Sequence, residues 1–232
     1  MPPLPAPAPA APPARPDLAA RLRGWGPLGL LAFLVVLLAT VSSALFGALL
    51  VLVWAWVSRT PWRELGFVRP RSWPRTVLGG IAIGVVFKLA MKSLVMPLLG
   101  APAMNQRYHY LEGNLGAIPG MVLAVLIGAG FGEELLMRGY LFERLGRLLG
   151  RSAVATAAIV LVTSALFAAA HYPEQGVPGV QQAAVTGLVI ATLFARTRSL
   201  PFVMIVHAAF DLTALYLIYR GLETGVAHWF FK

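Results

Sequence analysis

Apolar residues run along this chain in long blocks, not in the alternating or 3.6-residue pattern of an element with one wet face. A block of about 20 apolar residues is long enough to cross the hydrocarbon core of a bilayer. Six stretches qualify: Leu28 to Val57, Val77 to Leu99, Ala117 to Leu149, Ala153 to Ala170, Val180 to Phe194 and Leu200 to Tyr219. Turn-forming residues separate them, among them Pro61, Pro70 and Pro74, Gly100 and Pro102, Gly150, Pro173 to Gly179, and Pro201. The pattern predicts an all-α, polytopic membrane bundle of about six transmembrane helices. A Pro-rich stretch precedes the first block and predicts a disordered and then interfacial tail over residues 1–26, leaving 27–232 as a single membrane domain. Hydrophobicity beyond it continues to Val57, longer than the core of a cleaved signal, so the segment is expected to remain as a span.

Composition agrees with the pattern. Hydrophobic residues make up 58% of the 232 and charged ones only 12%, with a mean hydropathy of +0.75, too apolar for a domain whose surface faces water. The expected location is an integral position in a membrane, taken as a bacterial cell membrane. The formal charge of +10 does not indicate nucleic acid, because the basic residues flank spans and form no groove-reading module. Arg59 to Arg75, Arg144 to Arg151, and Arg196 with Arg198 form three clusters. Strict alternation across six spans puts them on one side, the cytoplasmic one by the positive-inside rule, and leaves Arg15, Arg21 and Arg23 on the other as an exception, which an irregular span hidden in the unusually long first stretch would reverse. The chain has no cysteine, which excludes thiol chemistry.

Charges inside spans change the picture more. Ala117 to Gly132 is free of polar side chains, and directly behind it stand Glu133, Glu134 and Arg138. An ionisable residue at membrane depth is costly, by roughly 2.5 to 3.5 kcal/mol on insertion scales, and is a functional candidate by default. Glu134 and Arg138 stand four apart and can neutralise each other, whereas Glu133, rotated by about 100° on the helix, needs a partner elsewhere. Phe167 with His171, His207 with Asp211, and Lys88 with Lys92 repeat the spacing of four. At about 1.5 Å of rise per residue, Glu133 lies about 25 Å and His171 about 30 Å above the turn at Gly150. On the same ruler His207 and Asp211 reach about 18 and 24 Å. Spacing therefore gathers Glu133, His171, His207 and Asp211 from three helices into one layer, a site among the last four spans.

Such a layer suits hydrolysis. A carboxylate among apolar walls can take a proton from water and pass it on, an imidazole can hold that water, and further donors can face the oxyanion. Blander readings stand beside this one. Glu134 with Arg138 fits a structural ion pair, Phe167 core packing, His171 an interfacial helix end, and His207 with Asp211 a brace between helices. Lys88 and Lys92 are expected to snorkel from a span end and stay out of the site, and His109 and His228 carry no assignment. No Gly-x-Ser-x-Gly elbow is present.

Glu-Glu-x-x-x-Arg (133, 134, 138), then Phe-x-x-x-His (167, 171), then His-x-x-x-Asp (207, 211), in order on successive spans, resembles the CPBP (Abi) intramembrane proteases. That family includes the type II CAAX prenyl endopeptidases. The likeness, with "RGYLFERL" after the glutamates, covers about residues 117–215. It implies an intramembrane endopeptidase acting on a membrane-associated protein or peptide within the lipid bilayer. It further implies Glu133 as general base, His171 as water ligand, and His207 with residue 211 at the oxyanion. Glu134, Arg138 and Phe167 would support them. The prenyl endopeptidases carry Asn where this chain has Asp211; an ionised Asp accepts only, so it is protonated, orients His207, or meets a cation, and orientation is the preferred reading. The resemblance implies no cofactor; zinc held by Glu133, His171, His207 and Asp211 is the alternative, although no His-Glu-x-x-His occurs. Rival functions are a non-enzymatic immunity or scaffold protein of the same fold, and a proton-coupled transporter.

Overall fold

The computed structural model describes residues 17–231. They form α1 (Leu18–Arg23), α2 (Pro27–Ser42), α3 (Ala44–Val57), α4 (Trp73–Leu98), α5 (Leu115–Leu149), α6 (Ala153–Ala170), α7 (Tyr172–Thr197), α8 (Leu200–Tyr219) and α9 (Glu223–Ala227). No strand occurs among the described residues, and α4 to α8 are each long and apolar enough to cross a membrane. This is an all-α polytopic bundle and an integral membrane protein. Its outer surface carries Leu78, Val86, Leu123, Leu161 and Leu188, the side chains a lipid-facing wall requires.

Helix ends follow local chemistry. Ser152 accepts the Ala155 amide at 3.1 Å to start α6, and Asn114 accepts that of Ala117 at 3.3 Å to start α5. Gly150, at φ 84°, closes α5. Within α7 the chain breaks at Gly176, whose φ of 60° and ψ of −156° are open to glycine and strained for other residues. α5 is widened into i→i+5 turns over Ala124–Glu133 and again over Leu135–Tyr140, so Glu134 stands at the junction of two such segments. Widened turns of this kind often occur where a helix carries function.

The first apolar block differs from expectation. Leu28 to Val57 is not one span but two helices, of 16 and 14 residues, separated by an extended Ser43 at φ −167°. At about 1.5 Å per residue neither reaches the roughly 30 Å of a hydrocarbon core. Two consecutive serines follow Thr40, whose hydroxyl already bonds back to the Val36 carbonyl at 2.8 Å, and such side chains compete with the helical ladder. α2 and α3 fold onto each other as a hairpin. Phe33, early in α2, and Trp54, late in α3, pack on the same Tyr140 ring, at 6.0 and 4.9 Å.

Both ends of the hairpin consequently lie on one side. The tail expected over 1–26 lies outside the described residues up to 16; from Asp17 on, it folds as α1 and docks there. Trp54 Nε1 donates to the Leu22 carbonyl at 3.3 Å, and Arg144 donates to the carbonyls of Arg23 and Gly24 while stacked 4.4 Å from Trp25. Arg21 and Arg23 therefore join the three arginine clusters, contrary to the strict alternation of six spans; Arg15 lies outside the described residues.

In the core, α8 packs between α4 and α5, and α6 pairs with α7. Leu135, Leu136, Tyr140 and Leu141 of α5 meet Ile190, Phe194, Leu200, Val203 and Val206 in one buried cluster. That cluster lies below the polar layer and fixes the heights of the helices that supply it.

Candidate active site

Glu134 is the anchor. Fully buried, its Oε1 accepts from Arg138 Nη1 at 2.8 Å and from His207 Nδ1 at 2.7 Å. Arg138, 1% exposed, spends Nη2 on the Gly187 carbonyl at 3.3 Å and lies 4.9 Å over the Phe167 ring. One carboxylate and one guanidinium thus tie α5 to α7 and α8. Few other solutions would keep both charges at this depth, because each needs a partner away from water.

With Nδ1 committed, His207 turns Nε2 toward Asp211 Oδ2, 3.4 Å away, and Glu133 Oε2, 4.0 Å away. His171 comes from the end of α6 and is oriented differently. Its Nδ1 donates to the Phe167 carbonyl at 2.8 Å, so in the neutral ring Nε2 is left as an acceptor. Phe167, 2% exposed, is wedged between the two imidazoles, with centroid separations of 4.6 Å to His171 and 5.8 Å to His207.

All four groups of the expected layer line a single cavity of about 740 Å³. Ser43, Ala44 and Leu45 also line it, so the apex of the α2–α3 hairpin reaches membrane depth beside Glu133. The opposite wall comes from the connection between α4 and α5: Asn105 and Tyr108 face the cavity, and the connection is fastened by Asn105 N to Glu223 Oε2 at 3.2 Å. Burial, with Glu174 and Asp211 nearby, raises the Tyr108 hydroxyl above its ordinary value, so it remains protonated and able to donate. The volume falls in the range of sites that hold a small ligand or a short peptide segment.

The lysines overturn their expected role. Lys88 and Lys92 do not snorkel; they are 6% and 8% exposed and face the same cavity. Lys92 pairs with Glu223 at 2.8 Å, and Lys88 donates to Gln182 Oε1 at 2.9 Å with its ammonium 4.7 Å from the Phe210 ring centroid. A signal was present in the chain: Gly80, Gly84, Lys88 and Lys92 repeat every four residues, and a row begun by two glycines is a helix-packing face, not a lipid face.

Among the described residues no three His, Cys, Asp or Glu side chains converge as a metal-ligand set. His207 in particular has one ring nitrogen bound to Glu134.

Residues 116–213 match the family model described as type II CAAX prenyl endopeptidase Rce1-like. The chain carries an Rce1-like domain. No curated protein and no solved structure matches the chain. The Rce1-like segment runs from the start of α5 into α8 and holds Glu133, Glu134, Arg138, Phe167, His171, His207 and Asp211. The model that it matches describes a family of proteases of the CAAX type. The hairpin, α4 and both lysines lie outside the Rce1-like segment, so the cavity is completed by residues the family match does not cover.

Proposed function

We propose that the protein is an intramembrane endopeptidase that hydrolyses peptide bonds of a membrane-associated protein or peptide, with water activated by Glu133 and without a metal. The observation that carries this reading is the division of labour between adjacent glutamates. Glu134 is consumed by Arg138 and His207, while Glu133 stands at the cavity 4.0 Å from His207 Nε2 with its carboxylate uncommitted to a cation.

In the reaction, Glu133 takes a proton from a water whose other hydrogen is accepted by His171 Nε2. The oxygen adds to the scissile carbonyl carbon, and the carbonyl electron pair moves onto its oxygen. Protonated at both ring nitrogens, with Nδ1–H on Glu134, His207 donates Nε2–H to that oxyanion. Asp211, one helical turn along α8, holds the imidazole in place. Collapse expels the amine, to which Glu133 returns the proton, giving one carboxylic acid and one amine from one peptide bond and one water.

The test uses the purified full chain in liposomes with a membrane-tethered peptide. Glu133→Gln keeps shape and removes the base; cleavage should stop while thermal unfolding is unchanged. Chelators should leave the wild-type rate intact. Cleavage by Glu133→Gln at the wild-type rate would refute the base, and loss to chelation that zinc restores would refute the metal-free route.

A further inference from the structure

Among the described residues two lysines are buried at membrane depth, and their partners differ. Lys92 is answered by the Glu223 carboxylate at 2.8 Å, with side chains 10% and 9% exposed. Lys88 has no carboxylate within ion-pair distance among the described residues. Its hydrogen bond goes to the neutral amide oxygen of Gln182 at 2.9 Å, and its charge rests on the Phe210 ring at 4.7 Å. An ammonium has three N–H bonds, and this one uses a single bond for a neutral acceptor. The uncommitted donors belong to a side chain that lines the cavity shared by Glu133, His171, His207 and Asp211.

The height of Lys88 is fixed by packing. α4 and α8 run in the same direction and touch through glycines. A Cβ at Gly80 would meet Ile205 at 2.7 Å, and one at Gly84 would meet the Val206 carbonyl at 2.4 Å and Ala209 at 2.7 Å. Each step of four along α4 matches about one turn of α8. Lys88, the next step, therefore sits at the level of Phe210 and Asp211, one turn from His207.

Apart from His207 Nε2, the other strong donors around the layer are already used. Arg138 gives Nη1 to Glu134 and Nη2 to Gly187, and is sealed from the cavity at 1% exposure. His207 gives Nδ1 to Glu134. Arg107 pairs with Glu174 at 3.4 Å, and an ionised Asp211 only accepts. Yet attack of water on an amide places a full negative charge on the former carbonyl oxygen, in a layer where Glu133 has taken up the water's proton but Glu134 and Asp211 remain as carboxylates beside His207.

We propose that Lys88 is a further catalytic residue, whose ammonium donates to the oxyanion of the tetrahedral intermediate beside His207. The inference rests on the peptidase reading above. It gives Asp211 a second consequence as well: a carboxylate at that level keeps the ammonium oriented into the cavity without neutralising it in a contact pair. Lys88 lies in α4, outside the segment that matches the protease family.

The experiment uses the full chain in liposomes and one tethered peptide made in two forms, with a free carboxylate and with a carboxamide at its end. Lys88→Met keeps length and apolar packing while removing the charge. Removal of one such donor lowers kcat by about 100- to 1,000-fold in other hydrolases, and the same loss is expected here for both peptides with KM little changed. A wild-type kcat in Lys88→Met overturns the proposal. So does a loss confined to KM of the free-acid peptide, which would make Lys88 a receptor for a substrate carboxylate.

Because the chain has no cysteine, Lys88→Cys gives a single alkylation point and a second variant if Lys88→Met does not fold. Alkylation with bromoethylamine, which rebuilds an ammonium, should restore most of kcat, whereas iodoacetamide, which leaves a neutral tail, should not. Equal recovery by both reagents would overturn the charge argument. If wild type itself cleaves nothing, the peptidase reading fails; if wild type cleaves and Glu133→Gln does not, while Lys88→Met matches wild type, only the present inference fails.

Discussion

At the scale of single residues, three side chains decide whether the layer exists. Glu134, Arg138 and His207 are 0%, 1% and 3% exposed and share one carboxylate oxygen, so none can be removed without leaving another charged or polar group alone. Breaking a buried pair from one side costs about 3–5 kcal/mol, far more than the pair itself adds over an apolar substitute. Arg138→Leu should therefore lower the thermal unfolding midpoint in detergent by several degrees or prevent accumulation in the membrane. Glu133→Gln, at a side chain 26% exposed to the cavity, should leave the midpoint unchanged. An Arg138→Leu variant as stable as wild type would mean that the ion pair does not brace α5 against α7 and α8. The spacing of four in Glu134 and Arg138 made their pairing legible from sequence, because two residues of one helix meet whatever the rest of the fold does. The Glu134 to His207 bond was not legible, because the meeting of α5 and α8 depends on helix order and height.

At the scale of elements, the long helices were legible because lipid demands unbroken apolar runs and each run has one structural solution. The first block was not, since 30 largely apolar residues satisfy the same composition as a crossing helix or as a hairpin that turns back, and only Thr40, Ser42 and Ser43 mark the difference. The lysines were misread for a related reason. Snorkelling is a property of a helix face turned to lipid, and the face of α4 that carries Lys88 is turned to α8. Gly84 is the contact on which that orientation depends. Gly84→Val would place Cβ 2.4 Å from the Val206 carbonyl, forcing α4 off α8 and carrying Lys88 away from the layer. Overpacking of this kind costs roughly 1–3 kcal/mol. Cleavage should fall at least tenfold, a loss too large to follow from reduced abundance alone when rates are normalised to folded protein. Gly79→Val, where a Cβ meets nothing within 4 Å, is the control and should match wild type in both rate and unfolding midpoint.

At the scale of the whole molecule, the hairpin reorganises the charge. With both ends of residues 27–57 on one side, α1, the connection from Arg59 to Arg75, the Gly150 turn and the α7–α8 connection all present arginine to the same face. Asp17 and Arg59, 3.8 Å apart, join the first two of these directly. The opposite face holds the α4–α5 connection, Glu174 and Glu223, with basic and acidic groups in near balance, and it is from this face that the cavity is walled by Asn105 and Tyr108. A one-sided excess of arginine is the pattern that fixes cytoplasmic orientation. Single cysteines in this cysteine-free chain can read it out with a membrane-impermeant maleimide on intact cells. Arg21→Cys and Arg151→Cys should both stay protected until the membrane is permeabilised, and Gln106→Cys, exposed in the α4–α5 connection, should label at once. Labelling of Arg21→Cys together with Gln106→Cys would require residues 27–57 to cross the bilayer once. The apex at Ser43 to Leu45 would then have no reason to lie beside Glu133, and the hairpin's place in the cavity wall would have to be withdrawn.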